Sequence, residues 1–278
     1  MIKLKTFGSF TVGNGLTSVQ EGAWRSEKLE KLFVYLAMNR NRGVCIEDIS
    51  EAIWQVEEET DNPVGALKNL AYRLRKALRD ASFGEECIVS VRGGLYKWND
   101  DVEVTIDVEE FDRYINEAEM AFCRSKETAI ESYEKAIALY HGDFLPLRTD
   151  THWFMTLNAF YHSRYVNTVK ALAKLYIDTG CYEKLEQLCT RAIVYERSDE
   201  QIYSYLIVAR MRTKKVQMAF DTYETAKAIM DKDLGVRKTV MLNKVYEELL
   251  SVTKGASSYN IDEVKDDISE ESMNGVFM

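Results

Sequence analysis

Two neighbouring stretches decide the fold: Ala66-Leu67-Lys68-Asn69-Leu70-Ala71-Tyr72-Arg73-Leu74-Arg75-Lys76-Ala77-Leu78, and then Ser90-Val91-Arg92-Gly93-Gly94-Leu95-Tyr96-Lys97-Trp98. In the first, Leu67, Ala71, Leu74 and Leu78 recur at i, i+4, i+7 and i+11, so they share one face of a helix. At about 100° per residue, Asn69, Tyr72, Arg73 and Lys76 centre on the opposite face, flanked by Lys68, Arg75 and Arg79. Five basic residues and no acidic one lie between Asn62 and Arg79. The second stretch turns at a glycine pair and reads as two short strands.

Such a helix has the chemistry of a duplex reader. It fits the major groove of B-DNA, where Arg73 can offer two donors to a guanine edge and Asn69 can pair with adenine. Lys68, Arg75 and Arg79, which flank that face, suit phosphates, and Arg92, on the hairpin, suits a phosphate or the minor groove. Leu70 and Tyr72 offer apolar surface to a thymine methyl. A solvated basic face on an ordinary helix has the same pattern, so the surroundings must decide.

Leu29, Leu32, Phe33 and Leu36 predict a first helix upstream, and Ile49, Ala52 and Ile53 a shorter second one ending near Trp54. Gly43-Val44-Cys45 reads as a turn and short strand between them. Ahead of both, Ile2-Lys3-Leu4-Lys5 alternates, and Gly8, Gly13 and Gly15 punctuate short strands. Strands, three helices and a hairpin follow in that order. With Ile53-Trp54, Arg73-Leu74-Arg75-Lys76-Ala77-Leu78 and Val91-Arg92-Gly93-Gly94-Leu95-Tyr96, residues 1–100 resemble the OmpR/PhoB-type winged helix. Two positions depart from that pattern. The hydroxyl that caps the second helix is replaced by Ile46, and the second wing glycine comes one residue early.

The formal net charge of −9 argues at first against nucleic acid, but it is unevenly spread. Residues 1–100 hold 14 basic and 14 acidic side chains, and the remainder holds 22 and 31. A neutral domain carrying a basic helix is compatible with specific binding, because the local potential on one face is what acts on DNA. The five cysteines, at 45, 87, 123, 181 and 189, form no paired motif and read as reduced thiols of a cytoplasmic protein. No signal peptide is read at the N-terminus, which enters a strand pattern at once. No apolar run approaches about 18 residues, so no membrane contact is expected.

After about residue 100 strand signals vanish. Asp107, with Glu110 three residues on, reads as a capping-box start, and Phe111, Ile115, Ala118 and Phe122 as a buried stripe. Leu175, Gly180, Leu185, Cys189 and Ala192 recur as Ala209, Lys214, Ala219, Tyr223 and Ala226 at an offset of 34, the tetratricopeptide period. Ala129, Tyr133 and Ala136 repeat the spacing of Ala219, Tyr223 and Ala226. Asp107-Val108-Glu109-Glu110-Phe111, the run from Ala138 through Tyr140-His141-Gly142-Asp143-Phe144-Leu145-Pro146 to Leu147, Trp153 and Leu234-Gly235-Val236 resemble the bacterial transcriptional activator domain over about 104–251. Lys214 stands in place of the repeat glycine, and Glu196-Arg197-Ser198 in place of a proline.

A winged helix fused to such a domain resembles the SARP family of transcriptional activators over about residues 1–251. The fold expected is mainly α, an N-terminal α+β winged helix followed by an all-α repeat domain. The expected divisions are a DNA-binding domain over 1–102, an activator domain over 103–253 and an acidic, disordered tail over 254–278, with six acids and one lysine after Ala256. The resemblance implies promoter binding at direct repeats and recruitment of RNA polymerase, with a homodimer as a further candidate assembly. A helical-repeat scaffold whose winged helix no longer binds DNA is the alternative. With no receiver domain ahead of the winged helix, phosphorelay control is not expected.

The run Glu57-Glu58-Glu59-Thr60-Asp61 reads equally as a polymerase-facing loop or as a solvated one beside the basic helix. His141, His152 and His162 match no zinc spacing, and no cofactor is expected. No phosphate-binding loop, nucleophile elbow or zinc-protease motif occurs, and the chain is not expected to be an enzyme. Tyr161, Tyr165, Tyr176, Tyr182, Tyr203, Tyr205 and Tyr223 are expected in the core or lining a groove of the helical half.

Overall fold

The computed structural model describes residues 1–54, 62–83, 87–91, 94–231 and 239–253. The acidic run 57–61, Arg92, the turn 234–236 and the tail 254–278 lie outside the described residues. Contacts divide the chain into two compact units, Met1–Tyr165 and Val166–Met278.

In the first unit, β1 (Ile2–Lys5), β2 (Thr11–Gly13), β3 (Ser18–Gln20) and β6 (Val104–Ile106) form one sheet in the order β3-β2-β1-β6. β1 pairs antiparallel with β2 and parallel with β6, with Lys3 opposite both Gly13 and Thr105. The alternation read at the N-terminus is borne out, since Ile2 and Leu4 are buried and Lys3 and Lys5 exposed. The sequence boundary after residue 102 falls between β5 (Leu95–Trp98) and β6.

Helices α1 (Glu27–Met38), α2 (Ile46–Ile53) and α3 (Pro63–Asp80) follow the sheet, and their apolar stripes converge on one core. Phe10, Trp24, Phe33 and Trp98 meet there edge to face, with centroids 5.3–6.2 Å apart. The cap of α2 corrects the sequence reading. Ile46 is the first helical residue, and the cap is Cys45, whose Sγ accepts from the Asp48 amide at 3.4 Å. A thiol is a weak acceptor, so this cap is retained in a weaker form.

Helices α4 (Asp107–Ala121) and α5 (Lys126–Leu139) pack against each other, and α4 also touches β1 and β6. The capping box expected at Asp107 is absent: Ile106 is the cap and makes no side-chain hydrogen bond. Asp107 is buried instead, and its carboxylate accepts from the amides of Thr6 and Phe7, the Thr6 hydroxyl and the Val108 amide at 2.6–3.0 Å. Phe111, Ile115 and Ala118 form the expected stripe, but Phe122 lies past the helix end and is exposed.

The turn after α5 is tied to the start of the chain. Gly8 donates to the Asp143 carbonyl at 2.9 Å, and Leu145 donates to the Thr6 carbonyl at 2.9 Å. Gly8 has φ +80, and a Cβ there would lie 2.5 Å from the His141 carbonyl oxygen, so only glycine fits. Asp143 accepts from the Tyr140 hydroxyl and lies 2.8 Å from His162 Nδ1, while the Tyr140 ring stacks on Tyr165 with centroids 3.8 Å apart. His162, on α6 (His152–Asp178), thus has a structural partner in the turn after α5; the first half of that long helix belongs to this unit.

In the second unit α7 (Tyr182–Tyr195), α8 (Glu200–Arg212), α9 (Val216–Ile229) and α10 (Val240–Thr253) follow α6. α8 touches α7, α9 and α10 and is buried almost all round. Tyr203, Ile207, Ala219, Tyr223, Ala226, Leu242 and Leu249 share one core there. The 34-residue offset holds down to single hydrogen bonds. The amides of Gly180 and Cys181 donate to the carbonyls of Ile177 and Tyr176, and those of Lys214 and Lys215 to Met211 and Arg210. The Thr179 and Thr213 hydroxyls donate to the Leu175 and Ala209 carbonyls. Both helix ends are therefore the same left-handed stop, with φ +71 at Gly180 and φ +61 at Lys214.

Two predictions follow from these contacts. A left-handed lysine carries a steric cost of about 1–2 kcal/mol, partly offset by the greater unfolded-state freedom of glycine. Lys214→Gly is expected to stabilise the second unit by about 0.5–1 kcal/mol, read as a higher denaturation midpoint at unchanged m-value. The second concerns acid. The hydrogen bond from His162, aided by the one from Tyr140, holds the Asp143 carboxyl below its ordinary pKa. Its stabilisation is present above the unfolded carboxyl pKa of about 4 and is lost as pH falls through the lower folded value. Between about pH 5 and pH 2 the melting temperature of the native chain should fall more steeply than that of Asp143→Asn.

Candidate nucleic-acid interface

α3 begins at a well-made cap. Asn62 Oδ1 accepts from the Gly65 amide at 2.9 Å, and Pro63 occupies the first helical position, where its missing N–H costs nothing. Leu67, Leu70, Ala71, Leu74 and Leu78 are buried against the core formed with α1 and α2. Burial of each leucine contributes about 2 kcal/mol, which fixes the rotation of the helix about its axis. The opposite face is therefore held outward by packing.

Lys68, Asn69, Tyr72, Arg73, Lys76 and Arg79 are all exposed. Asn69, Tyr72, Arg73 and Lys76 form one strip about 10 Å long, by a rise of about 1.5 Å per residue. Tyr72 is 64% exposed although it is a large aromatic. Leu70, offered above as a thymine contact, is 5% exposed, because it widens the buried stripe beside Leu67 and Leu74. Val64, in the first turn, is 43% exposed and adds an apolar side chain that the sequence reading omitted. Helical periodicity puts Val64 in line with Ala71, so the pattern carried no signal for it.

Arg75 has a structural partner. Its Nε donates to the Ile88 carbonyl at 3.0 Å, tying the middle of α3 to β4 (Ile88–Val91). β4 pairs antiparallel with β5, with Ile88 opposite Trp98 and Val91 opposite Leu95. Val44 exchanges two backbone hydrogen bonds with Tyr96, at 2.8 and 2.9 Å, which makes the expected short strand a bridge on the hairpin. Gly94 has φ +78 with open space around it, so the turn uses its left-handed freedom without crowding. Tyr96 and Trp98 anchor the base of the hairpin in the core.

This helix, held outward beside a hairpin, follows a small sheet and precedes paired helices. Residues 106–250 match the bacterial transcriptional activator domain. The chain belongs to that family. A curated relative, the transcriptional regulator RedD of Streptomyces coelicolor, is 23% identical over 238 residues, which cover 84% of this chain and 67% of RedD. Among solved structures, Mycobacterium tuberculosis EmbR in complex with a low-affinity phosphopeptide superposes with a TM-score of 0.70 at 18% identity, covering 98% of this chain and 70% of EmbR. That likeness shows the fold: a winged helix followed by a helical, TPR-like region. The arrangement is that of the SARP-type transcriptional regulators. No helix among the described residues is long and apolar enough to cross a membrane.

Two variants separate the roles of neighbouring side chains. Lys76→Ala should reduce the salt slope of DNA binding by about 1 and leave the melting temperature unchanged, as expected for one phosphate contact. Arg75→Ala should also lower stability by about 1 kcal/mol, because the Ile88 carbonyl loses its donor. Thermal denaturation alongside titrations at several salt concentrations measures both.

Proposed function

We propose that the chain is a sequence-specific DNA-binding activator. It places α3 in the major groove and recruits RNA polymerase at promoter repeats. The observation that carries this reading is the exposed strip of Asn69, Tyr72, Arg73 and Lys76, held outward by five buried apolar residues of the same helix. Arg73 reads a guanine edge and Asn69 an adjacent adenine. Lys68, Lys76 and Arg79 hold phosphates, and Arg92 serves the wing. In this reading the winged helix extends over residues 1–102 and the activator domain over 103–253, whose helices carry the contacts to polymerase and to a second copy of the chain. The protein works in the cytoplasm and catalyses no reaction.

Arg73→Ala tests the reading. It should fold as the native chain does and lose about 1–3 kcal/mol of affinity for the best operator, with relaxed preference at one base pair. Fluorescence anisotropy against a panel of operator variants reads both. Equal affinity of the two proteins across the panel removes Arg73 from base reading. Binding without any salt dependence removes the interface altogether.

A further inference from the structure

We propose that the outer face of the N-terminal sheet is a binding site for a small phosphate ester that also carries hydroxyl groups, the chemistry of a sugar phosphate. The strand register builds the site. Gln20, Thr11 and Lys5 stand side by side across β3, β2 and β1. In the next row Gly13, Lys3 and Thr105 stand side by side across β2, β1 and β6. Because Gly13 has no side chain, the second row is open beside Lys3. Lys3, Lys5, Thr11, Gln20 and Thr105 line a groove of about 560 Å³, whose wall also includes His141 and Glu110. That volume suits a small molecule and is far too small for a duplex.

The groove carries groups of two kinds. Lys3 and Lys5 project from the same face of β1 about 7 Å apart. Both are exposed, and neither has an ion-pair partner among the described residues. Thr11 and Gln20 beside them supply neutral donors. Two ammonium groups and neighbouring donors suit a phosphate dianion. The remaining polar groups of the wall differ in kind. His141 Nδ1 lies 2.8 Å from the Leu139 carbonyl, so it carries the proton and Nε2 is left to accept. Glu110 adds a carboxylate, while the Asp107 oxygens beside it are already filled by Thr6, Phe7 and Val108. Acceptors and cations on the walls of one groove match a molecule that carries both hydroxyls and a phosphate. They oppose a uniformly anionic partner such as a nucleic acid strand or an acidic peptide.

The test uses the full chain and three probes in saturation-transfer NMR and calorimetry: ribose 5-phosphate, inorganic phosphate and ribose. Ribose 5-phosphate should bind saturably, inorganic phosphate should compete with it at higher concentration, and ribose should not bind. The double variant Lys3→Gln/Lys5→Gln should weaken ribose 5-phosphate binding at least tenfold at an unchanged melting temperature, since both side chains are exposed. Arg73→Ala/Lys76→Ala should leave that binding intact. The proposal is overturned by a lack of saturation at about 10 mM, beyond the millimolar range of weak specific sites. It is also overturned by undiminished binding in the lysine double variant, or by loss of binding in the α3 variant. A reduced salt slope for DNA in Lys3→Gln/Lys5→Gln would make this face part of a nucleic-acid surface and overturn it as well.

Discussion

The Asp107 carboxylate is the tie on which the first unit depends. It sits at the start of α4, buried, and accepts two backbone amides and a hydroxyl from Thr6 and Phe7, about a hundred residues earlier in the chain. Burial pushes its pKa up, while each of these donors pulls it down by favouring the charged form. The amides of Thr6 and Phe7 lie just past the end of β1, where no strand partner reaches them. Without the carboxylate they would be buried donors lacking acceptors, at about 1–3 kcal/mol each. The same short segment supplies the Thr6 carbonyl to Leu145 and the Gly8 amide to Asp143. The three residues after β1 thereby hold the head of α4 and the turn after α5 together.

A second polar cluster acts on α1. Glu30 and Lys31 are both buried on that helix, although neither is apolar. Glu30 pairs with Arg148 at 2.5 Å, and Lys31 pairs with Asp150 and, at 3.3 Å, with Glu27. Thr151 donates to the Ala52 carbonyl at the end of α2. Buried pairs of this kind add little net stability over apolar packing, but losing one partner leaves a buried charge and costs several kcal/mol. Their effect is to specify one arrangement. The 148–151 segment is tied to both α1 and α2, and those two helices form the bed on which α3 is oriented. Side chains far from the basic strip thus fix the direction in which it faces.

The fold was legible wherever periodicity and burial coincide. The Leu29–Leu36 and Leu67–Leu78 stripes and the apolar positions of the 34-residue repeat all lie in cores, since apolar spacing reports which face must leave water. Polar tertiary contacts were not legible. Asp107 and Glu110 have the spacing of a cap, yet Asp107 is spent on Thr6 and Phe7, because a local pattern cannot reveal a distant orphaned amide. The pair Glu30–Arg148 has no sequence signature at all. In the candidate interface, the exposed strip was readable from the helical wheel, including Tyr72. The inward turn of Leu70 and the tie of Arg75 to Ile88 were not, because both depend on where the neighbouring core and hairpin lie. Lys214 departs from the repeat glycine, yet the backbone adopts the glycine conformation regardless, and the amide bonds to Met211 and Arg210 match those of Gly180 and Cys181.

The parallel pairing of β1 with β6 also sets the order in which the unit can form. β1 is made well before its neighbour at Val104–Ile106, which follows a hundred residues later, and the partner of the Thr6 carbonyl is Leu145. An emerging chain can build α1, α2, α3 and the hairpin from nearby contacts, while the strand at its head waits with one edge open. Closure of the sheet demands a long loop, so it belongs to the slow, late part of folding. Until then Ile2 and Leu4 have no complete cover. During synthesis the open edge of β1 is therefore the vulnerable part of this unit until Val104–Ile106 has been made.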